Sequence, residues 1–273
     1  MESSGGTFWD HLEVLRGALI RSLAVVMVIA VAVFMLKDFV FEYVVFYPTS
    51  EDFPTFRLMR NVMVALGWGE GLDDLQPVKI ISTRLAAQLF THLSMSFYIA
   101  LVVGVPYITG EVWVFIRPAL YQKEKKFIFK ALIYTGLLFY LGVMVSYFLI
   151  FPLSVNFLAA YQVTPDIENL ISIDSYIDTL VELCLATGFS FELPVAAYFL
   201  ARAGLLSHSF LKRYRRHAFV VVLLLAAIIT PSTDIFTMMI TALPLYCVFE
   251  LSVAVVKRAE KHELLTNQTV KSV

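Results

Sequence analysis

The stretch ALIYTGLLFYLGVMVSYFLIFPLSVNFLAAYQVT, residues 131–164, contains no charged side chain. A helix that crosses a hydrocarbon core of about 30 Å needs about 20 mostly apolar residues. The run is therefore too long for one span and too short for two. Pro152 offers a stop because proline has no backbone N–H to donate. We predict a membrane-spanning helix over residues 128–150.

The composition of the whole chain agrees with a polytopic membrane protein. Of its 273 residues, 59% are hydrophobic and 16% are charged, and the net charge is −1. A soluble domain usually has about 25% charged and about 45–50% apolar residues. Because the apolar residues are spread along the chain, we predict an all-α fold with six transmembrane helices, at residues 18–37, 85–110, 128–150, 179–203, 217–231 and 235–256.

The last two predicted spans form a hairpin, because Pro231, Ser232 and Asp234 cluster at the midpoint of residues 217–256. Only His217–Thr230 precedes this turn, which gives about 21 Å of helix. The fifth span must therefore thin the bilayer locally or be shielded by partner helices.

Lysine and arginine are distributed unequally between the loops, which predicts orientation. Segments 111–126, 205–216 and 257–273 carry four each, whereas 152–180 and 231–235 carry none. The longer segment 38–84 also carries four, but its seven acidic residues outweigh them. We predict that both termini face the cytoplasm and that 257–273 is a cytoplasmic tail. We predict that residues 38–84 lie on the opposite side of the membrane, as an extracytoplasmic cap. Within this cap, the apolar spacing of residues 53–66 predicts a short helix lying on the outer membrane surface.

Four acidic residues are candidates for function, and each also has a structural interpretation. Glu124, in RPALYQKEKKFIFK (117–130), is either a solvated acid among lysines or a docking site for a guanidinium group. Glu192 is the only charge in residues 183–201, so it is either functional or a protonated group that bonds a neighbouring helix. Asp234 has the position of an N-cap for the last helix. Glu250 would snorkel or pair with Lys257.

The remaining patterns exclude most enzyme classes. The chain has no HExxH, GxSxG, glycine-rich phosphate loop or Cys/His metal spacing, and its two cysteines, Cys184 and Cys247, lie in apolar runs. We predict a protein that is not an enzyme and has no cofactor or metal. The segment MESSGGTFWDHLE is polar, so no cleavable signal is expected. His11, Glu13 and Arg16 indicate an interfacial, amphipathic start to the first helix.

Several segments together resemble one family. HLEVLR (11–16) resembles the N-terminal signature HLxELR of TatC, the receptor subunit of the twin-arginine protein translocase. GEVWVFIRPALYQKEKK (110–126) is similar to the first cytoplasmic loop of that family. FYLGVMVSYFLIFPLSVNFL, GFSFELPV and TPSTDIFTMMITALPLYCVFE resemble its third span, its fourth span and its last hairpin. The resemblance covers about residues 8–256, in order.

The resemblance implies a cup-like bundle of six helices with cytoplasmic termini and two short last helices. It implies binding of twin-arginine signal peptides at the cytoplasmic face and export of folded precursor proteins, driven by the proton-motive force. The implied partners are TatA-type and TatB-type single-span subunits in an oligomeric complex in the bilayer, with no nucleic acid. The implied location is the bacterial cytoplasmic (inner) membrane.

The resemblance also assigns residues. The signal-peptide site would comprise Glu124, Glu13, Arg16, Phe115, Pro118, Leu120 and Tyr121, and the intramembrane polar residues that meet partner helices would be Glu192 and Asp234. One departure is Val14, which stands where the family has glutamate. Either Glu13 substitutes after a local shift, or Glu124 carries more of the arginine binding. Thr237 and Met238 also replace the Ser-Gln that is common in the family.

A proton-coupled secondary transporter that uses Glu192 is the alternative function. It would predict inverted repeats with broken helices in matching halves. No such pairing is apparent between residues 18–110 and 128–256.

Overall fold

The computed structural model describes residues 8–50, 52–65, 79–116, 125–162, 164, 169–202, 204–230 and 234–271. These residues are almost all helical, and five helical stretches are long and apolar enough to cross a membrane. The all-α, multi-pass architecture predicted from composition is confirmed. The five stretches are Leu12–Met35, Ala87–Val112, Ile133–Ala160, Ile173–Arg202 and Ile235–Glu260.

The chain divides into two compact units, the first formed by residues 1–41 and 86–137 and the second by residues 42–85 and 138–273. The first unit contains helices α1 (Phe8–Met35), α2 (Lys37–Val40) and α4 (Ala87–Ile116), and the start of α5 (Lys125–Val145). The second contains α3 (Pro54–Ala65), the rest of α5, and all later elements.

Helices α1 and α4 pack against each other in antiparallel orientation. Arg21 bonds to Glu111, and the ring of Phe34 stacks on that of His92 at 4.0 Å. Residue numbers therefore rise along one helix as they fall along the other. Between these contacts, a Cβ added at Gly104 would lie 3.2 Å from Val26 Cγ2, so the absence of a side chain lets the helices approach closely.

The predicted short helix in the 38–84 loop is present as α3, preceded by π-helical Phe41–Val45 and 3₁₀ Tyr47–Thr49. Phe56 of α3 and Phe53, just before α3, are fully buried in the second unit. Phe53 stacks on Phe148 at a centroid distance of 5.5 Å. The position of α3 on the outer membrane surface remains a prediction.

The predicted helix stop at Pro152 is wrong. The chain continues from α5 through a π-helical turn, Ser146–Ile150, into α6 (Phe151–Ala160), with Pro152 in the first turn of α6. Proline removes the N–H that would normally reach the carbonyl four residues earlier, here that of Phe148. The Thr55 hydroxyl donates to that carbonyl instead. Because the freed acceptor is satisfied, the helix passes the proline.

The fourth predicted span is two helices, α7 (Ile173–Ser190) and α8 (Leu193–Arg202), separated by a turn at Phe191 and Glu192. Ser172 caps α7 by accepting a hydrogen bond from the Ser175 N–H. Helices α5 and α7 touch at glycine: a Cβ on Gly142 would lie 2.8 Å from the Thr187 carbonyl oxygen and 2.9 Å from Gly188 Cα.

The C-terminal region consists of α9 (His208–Arg213), α10 (Arg215–Ile229) and α11 (Ile235–Lys271). Helix α10 has 15 residues, and at about 1.5 Å per residue it is about 22 Å long. It is therefore as short as the sequence predicts, and its role as a sixth span remains a prediction. Helix α11 continues through most of the predicted tail, to Lys271.

Two short β-strands pair near the C-terminal end of the 38–84 loop. Strand β1 (Ile80–Ile81) pairs in parallel with β2 (Ile171–Ser172), with Ile80 opposite Ile171. Next to this pair, Arg84 donates to the Asp174 carboxylate from Nε at 3.1 Å and from a terminal nitrogen at 2.7 Å. The hydrogen bond and charge of Asp174 raise the pKa of Arg84 above its ordinary value.

Candidate functional site

The antiparallel pairing of α1 and α4 brings two predicted parts of the site to the same end of the first unit. Glu13 and Arg16 lie toward the N-terminal end of α1. Phe115 lies at the C-terminal end of α4, which ends at Ile116. The side chains of Glu13 and Arg16 are exposed, and that of Phe115 is half-buried. We call this end of the α1/α4 pair the rim.

The segment between α4 and α5 contains most of the other predicted residues. It runs from the end of α4 at Ile116 to the start of α5 at Lys125. Pro118, Leu120, Tyr121 and Glu124 lie in it, outside the residues that the structure describes. Their assignment remains a prediction.

Close to the rim lies an ion pair that the sequence analysis missed. Arg21 binds Glu111 with two parallel hydrogen bonds, Nε to Oε1 at 2.9 Å and a terminal nitrogen to Oε2 at 2.6 Å. The Tyr107 hydroxyl donates to the same Oε1 at 2.9 Å. The Glu111 side chain is only 13% exposed, and that of Arg21 is 54% exposed. The sequence offered one indication of this pair, because Arg21 and Glu111 are single charges of opposite sign near the ends of two apolar runs.

The position of Val14 on α1 follows from helical spacing. Residues 14, 17 and 21 share one stripe, and Arg21 on that stripe faces Glu111 of α4. Glu13 is about 100° around the helix from Val14. The α-helix runs without interruption from Phe8 to Met35, so the backbone makes no local shift that would bring Glu13 onto the stripe.

Glu192 lies in the second unit, at the turn between α7 and α8. Its carbonyl accepts from the N–H groups of Val195 and Ala196, at 3.0 Å each, and therefore starts the new helix. Its side chain is half-buried. The carboxyl group is thus at a break in a membrane-spanning segment, whereas the sequence analysis expected a continuous span.

Asp234 caps α11, as its spacing predicted. Its Oδ1 accepts from the Thr237 N–H at 2.8 Å, and its Oδ2 accepts from the Thr237 hydroxyl. Thr237, where the related family commonly has serine, is completely buried and takes part in this cap.

The predicted pairing of Glu250 with Lys257 is wrong. Arg215 of α10 donates to Glu250 Oε2 at 2.8 Å, and the Tyr246 hydroxyl donates to Oε1 at 3.2 Å. The antiparallel packing of α10 on α11 sets Arg215 opposite Glu250, whereas Lys257 lies two turns further along α11, about 10 Å away. Among the described residues, no three His, Cys, Asp or Glu side chains are grouped to hold a metal ion.

Comparison with known proteins decides the family. The family model for the Sec-independent protein translocase protein TatC matches residues 10–244. The chain belongs to the TatC family. The match includes the HLEVLR segment, the 110–126 segment and most of the last hairpin.

Relatives in the TatC family span nearly the whole chain. The TatC protein of Deinococcus radiodurans is 34% identical, over 92% of this chain and 86% of that protein. That of a Blattabacterium species is 30% identical, over 90% and 93% respectively. A crystal structure described as the twin arginine translocase receptor TatC matches with a TM-score of 0.68 and 28% identity, over 92% of this chain and 99% of that one. The chain is therefore a multi-pass component of a Sec-independent protein translocase.

Proposed function

We propose that this chain is the subunit that binds twin-arginine signal peptides at the cytoplasmic face of a bacterial inner membrane. With TatA-type and TatB-type partners, it would pass folded precursor proteins across the membrane using the proton-motive force. The observation that carries the proposal is the rim, where the exposed Glu13 and Arg16 of α1 lie at the same end of the helix pair as Phe115 of α4.

The charge distribution supports the cytoplasmic location of this end. The rim leads into segment 111–126, which carries Arg117, Lys123, Lys125 and Lys126, whereas segment 152–180 carries no lysine or arginine. Positively charged loops of membrane proteins stay predominantly on the cytoplasmic side. A solved relative is described as the twin arginine translocase receptor, which agrees with peptide binding by this chain.

Recognition would depend on carboxylates at the rim. A guanidinium group pairs with a carboxylate through two parallel hydrogen bonds, which an ammonium group cannot reproduce. Glu124 would accept one arginine of the peptide. Glu13 is exposed but lies off the stripe that carries Val14, so Glu124 would bear most of the discrimination. Phe115, Pro118, Leu120 and Tyr121 would shape the site around it.

The intramembrane acids would have a separate role. Glu192, at the break between α7 and α8, would contact a TatA-type helix, because an acid at membrane depth is stabilised by a polar partner. Asp234 would contribute indirectly by holding the start of α11.

Photo-crosslinking from position 124 tests the proposal. The protein carries a photoreactive amino acid at position 124, or at Lys212 in a different basic loop as a control, and is offered a precursor with twin arginines or with two lysines. We expect a crosslink only from position 124 and only to the twin-arginine precursor. Equal labelling of both precursors, or equal labelling from Lys212, would contradict the proposal.

A further inference from the structure

The trio formed by Arg21, Glu111 and Tyr107 has no role in the function proposed above. All three lie in the first unit, toward the end of the α1/α4 pair that forms the rim. Arg16 is about 7 Å of helix beyond Arg21, and Phe115 is about 6 Å beyond Glu111. The trio is therefore a polar contact between α1 and α4 that lies close to the rim.

The geometry of the trio makes it a directional contact. Two parallel hydrogen bonds fix the plane of the Arg21 guanidinium on the Glu111 carboxylate, and the Tyr107 hydroxyl occupies a further acceptor position on Oε1. Apolar contacts between helices tolerate sliding, whereas a bidentate pair has one register. The trio thus sets how far α1 is shifted along α4.

The absence of a side chain at Gly17 leaves room for the Arg21 guanidinium. A Cβ added at Gly17 would lie 3.2 Å from a terminal nitrogen of Arg21, so the guanidinium lies over a position without a side chain. Residue 17 is four residues before Arg21 and belongs to the same stripe of α1 as Val14. Ala18, on the rim side of Arg21, and Val26 and Ala100, deeper in the pair, are buried residues that supply packing but no hydrogen bonds from their side chains.

We infer that Arg21, Glu111 and Tyr107 are positioning residues for the signal-peptide site. By fixing the register of α1 on α4, they hold Glu13 and Arg16 at a set distance from Phe115 at the end of α4. The inference rests on the proposed function, because it assigns these residues to the discrimination between arginine and lysine pairs in the peptide.

The experiment measures the register and the binding separately. Spin labels on Leu12→Cys and Val103→Cys, in a background with Cys184→Ala and Cys247→Ala, lie about 25 Å apart along the pair at about 1.5 Å per residue. The full chain in lipid nanodiscs is compared with R21Q/E111Q, which removes both charges together, and with the exchanged pair R21E/E111R. The matched control is R57Q/D52N, which removes an exposed pair of 3.0 Å in the 38–84 loop.

Binding is measured in the same nanodiscs, without spin labels, with fluorescent signal peptides that carry two arginines or two lysines. In R21Q/E111Q we expect a broadened or shifted label distance. We also expect the arginine-over-lysine preference to fall about tenfold, the scale of one hydrogen bond to a charged group. The exchanged pair should restore both, and R57Q/D52N should change neither. A loss of folded protein alone would lower the amount that binds without changing this preference.

Failure of the positioning role and failure of the proposed function would give different results. An unchanged distance and preference in R21Q/E111Q would overturn the positioning role while leaving the proposed function intact. A natural protein that binds both peptides equally would overturn the proposed function, and with it the link from the trio to specificity. In that case, a broadened label distance in R21Q/E111Q would show that the trio fixes the register of α1 on α4, but not that it affects specificity.

Discussion

The Thr55 hydroxyl donates a hydrogen bond to the carbonyl of Phe148, the carbonyl that Pro152 leaves without a helical donor. This bond joins α3 of the 38–84 loop to the π-helical turn before α6. It explains how one helical path runs from Ile133 to Ala160 through a proline. In a membrane, a backbone carbonyl cannot find water within the hydrocarbon region, so a side-chain hydroxyl takes that place.

Replacing Thr55 with valine should therefore destabilise the protein. The change keeps the shape of the side chain and removes the donor, which should lower the free energy of unfolding by about 1–3 kcal/mol. Thermal melting in detergent measures the effect. Thr55→Ser, which keeps the hydroxyl, should be nearly neutral. Thr179→Val removes an exposed bond to the Ser175 carbonyl and should matter little. Equal melting temperatures for Thr55→Val and the natural protein would contradict the assignment.

The contact between Gly142 and Gly188 should not tolerate a methyl group. An added Cβ at Gly142 would meet backbone atoms of α7 at 2.8 and 2.9 Å, and backbone cannot move aside as a side chain can. Gly142→Ala should cost about 1–3 kcal/mol of stability. Gly136→Ala is the matched control, because a Cβ there meets nothing within 4 Å. The control should be neutral or stabilising by about 0.5–1 kcal/mol, the helix preference for alanine. A destabilising Gly136→Ala or a neutral Gly142→Ala would refute the argument.

The ion pair of Arg215 and Glu250 should respond to charge exchange. Both side chains are partly exposed, at 43% and 33%, so the contribution should be modest. We expect about 1 kcal/mol for Arg215→Gln, measured by thermal or chemical unfolding. The double exchange R215E/E250R should recover part of the loss, and Lys257→Gln should have no effect on stability. A larger effect from Lys257→Gln than from Arg215→Gln would restore the rejected pairing.

The pair of Arg84 and Asp174 should be insensitive to alkaline pH. Because the pKa of Arg84 is raised by its partner, its contribution to stability is complete below the unfolded pKa and is lost only as the pH rises through the folded value. Between pH 7.5 and 10.5 the natural protein should therefore keep this contact. Arg84→Lys introduces an ammonium group with an ordinary pKa of about 10.4. Its contribution is lost only as the pH rises above that value, so its melting temperature should fall relative to the natural protein above about pH 10.5. A parallel pH dependence of the two proteins would count against the contact.

Glu192 should affect partner association and leave peptide binding unchanged. If it meets a TatA-type helix, Glu192→Ala should lower co-purification of such a subunit and lower export. Membrane insertion and the crosslink from position 124 should persist. Glu182→Ala is the matched control, because Glu182 is an exposed acid on α7. Proton-coupled solute uptake that depends on Glu192, in vesicles without any partner subunit, would favour the transporter alternative.

Local patterns in the sequence determined where most helices lie and how some of them begin. The apolar runs predicted the membrane-spanning helices, because each residue in contact with lipid must be apolar whatever its neighbours are. The apolar spacing of residues 53–66 predicted helix α3. The position of Asp234 before an apolar run predicted its cap on α11, because a cap involves residues only three apart. The TatC-like segments are likewise contiguous and could be recognised without a structure.

The tertiary structure alone decided which distant groups meet. Pro152 indicated a helix stop, and only the approach of Thr55, nearly a hundred positions away, removes the reason for it. Arg21 finds Glu111, and Arg215 rather than Lys257 finds Glu250, through the antiparallel register of two helices. A periodic pattern reports whether a residue faces lipid, protein or water, but not which residue of another helix lies opposite. That choice depends on helix packing over long separations, which local chemistry does not specify.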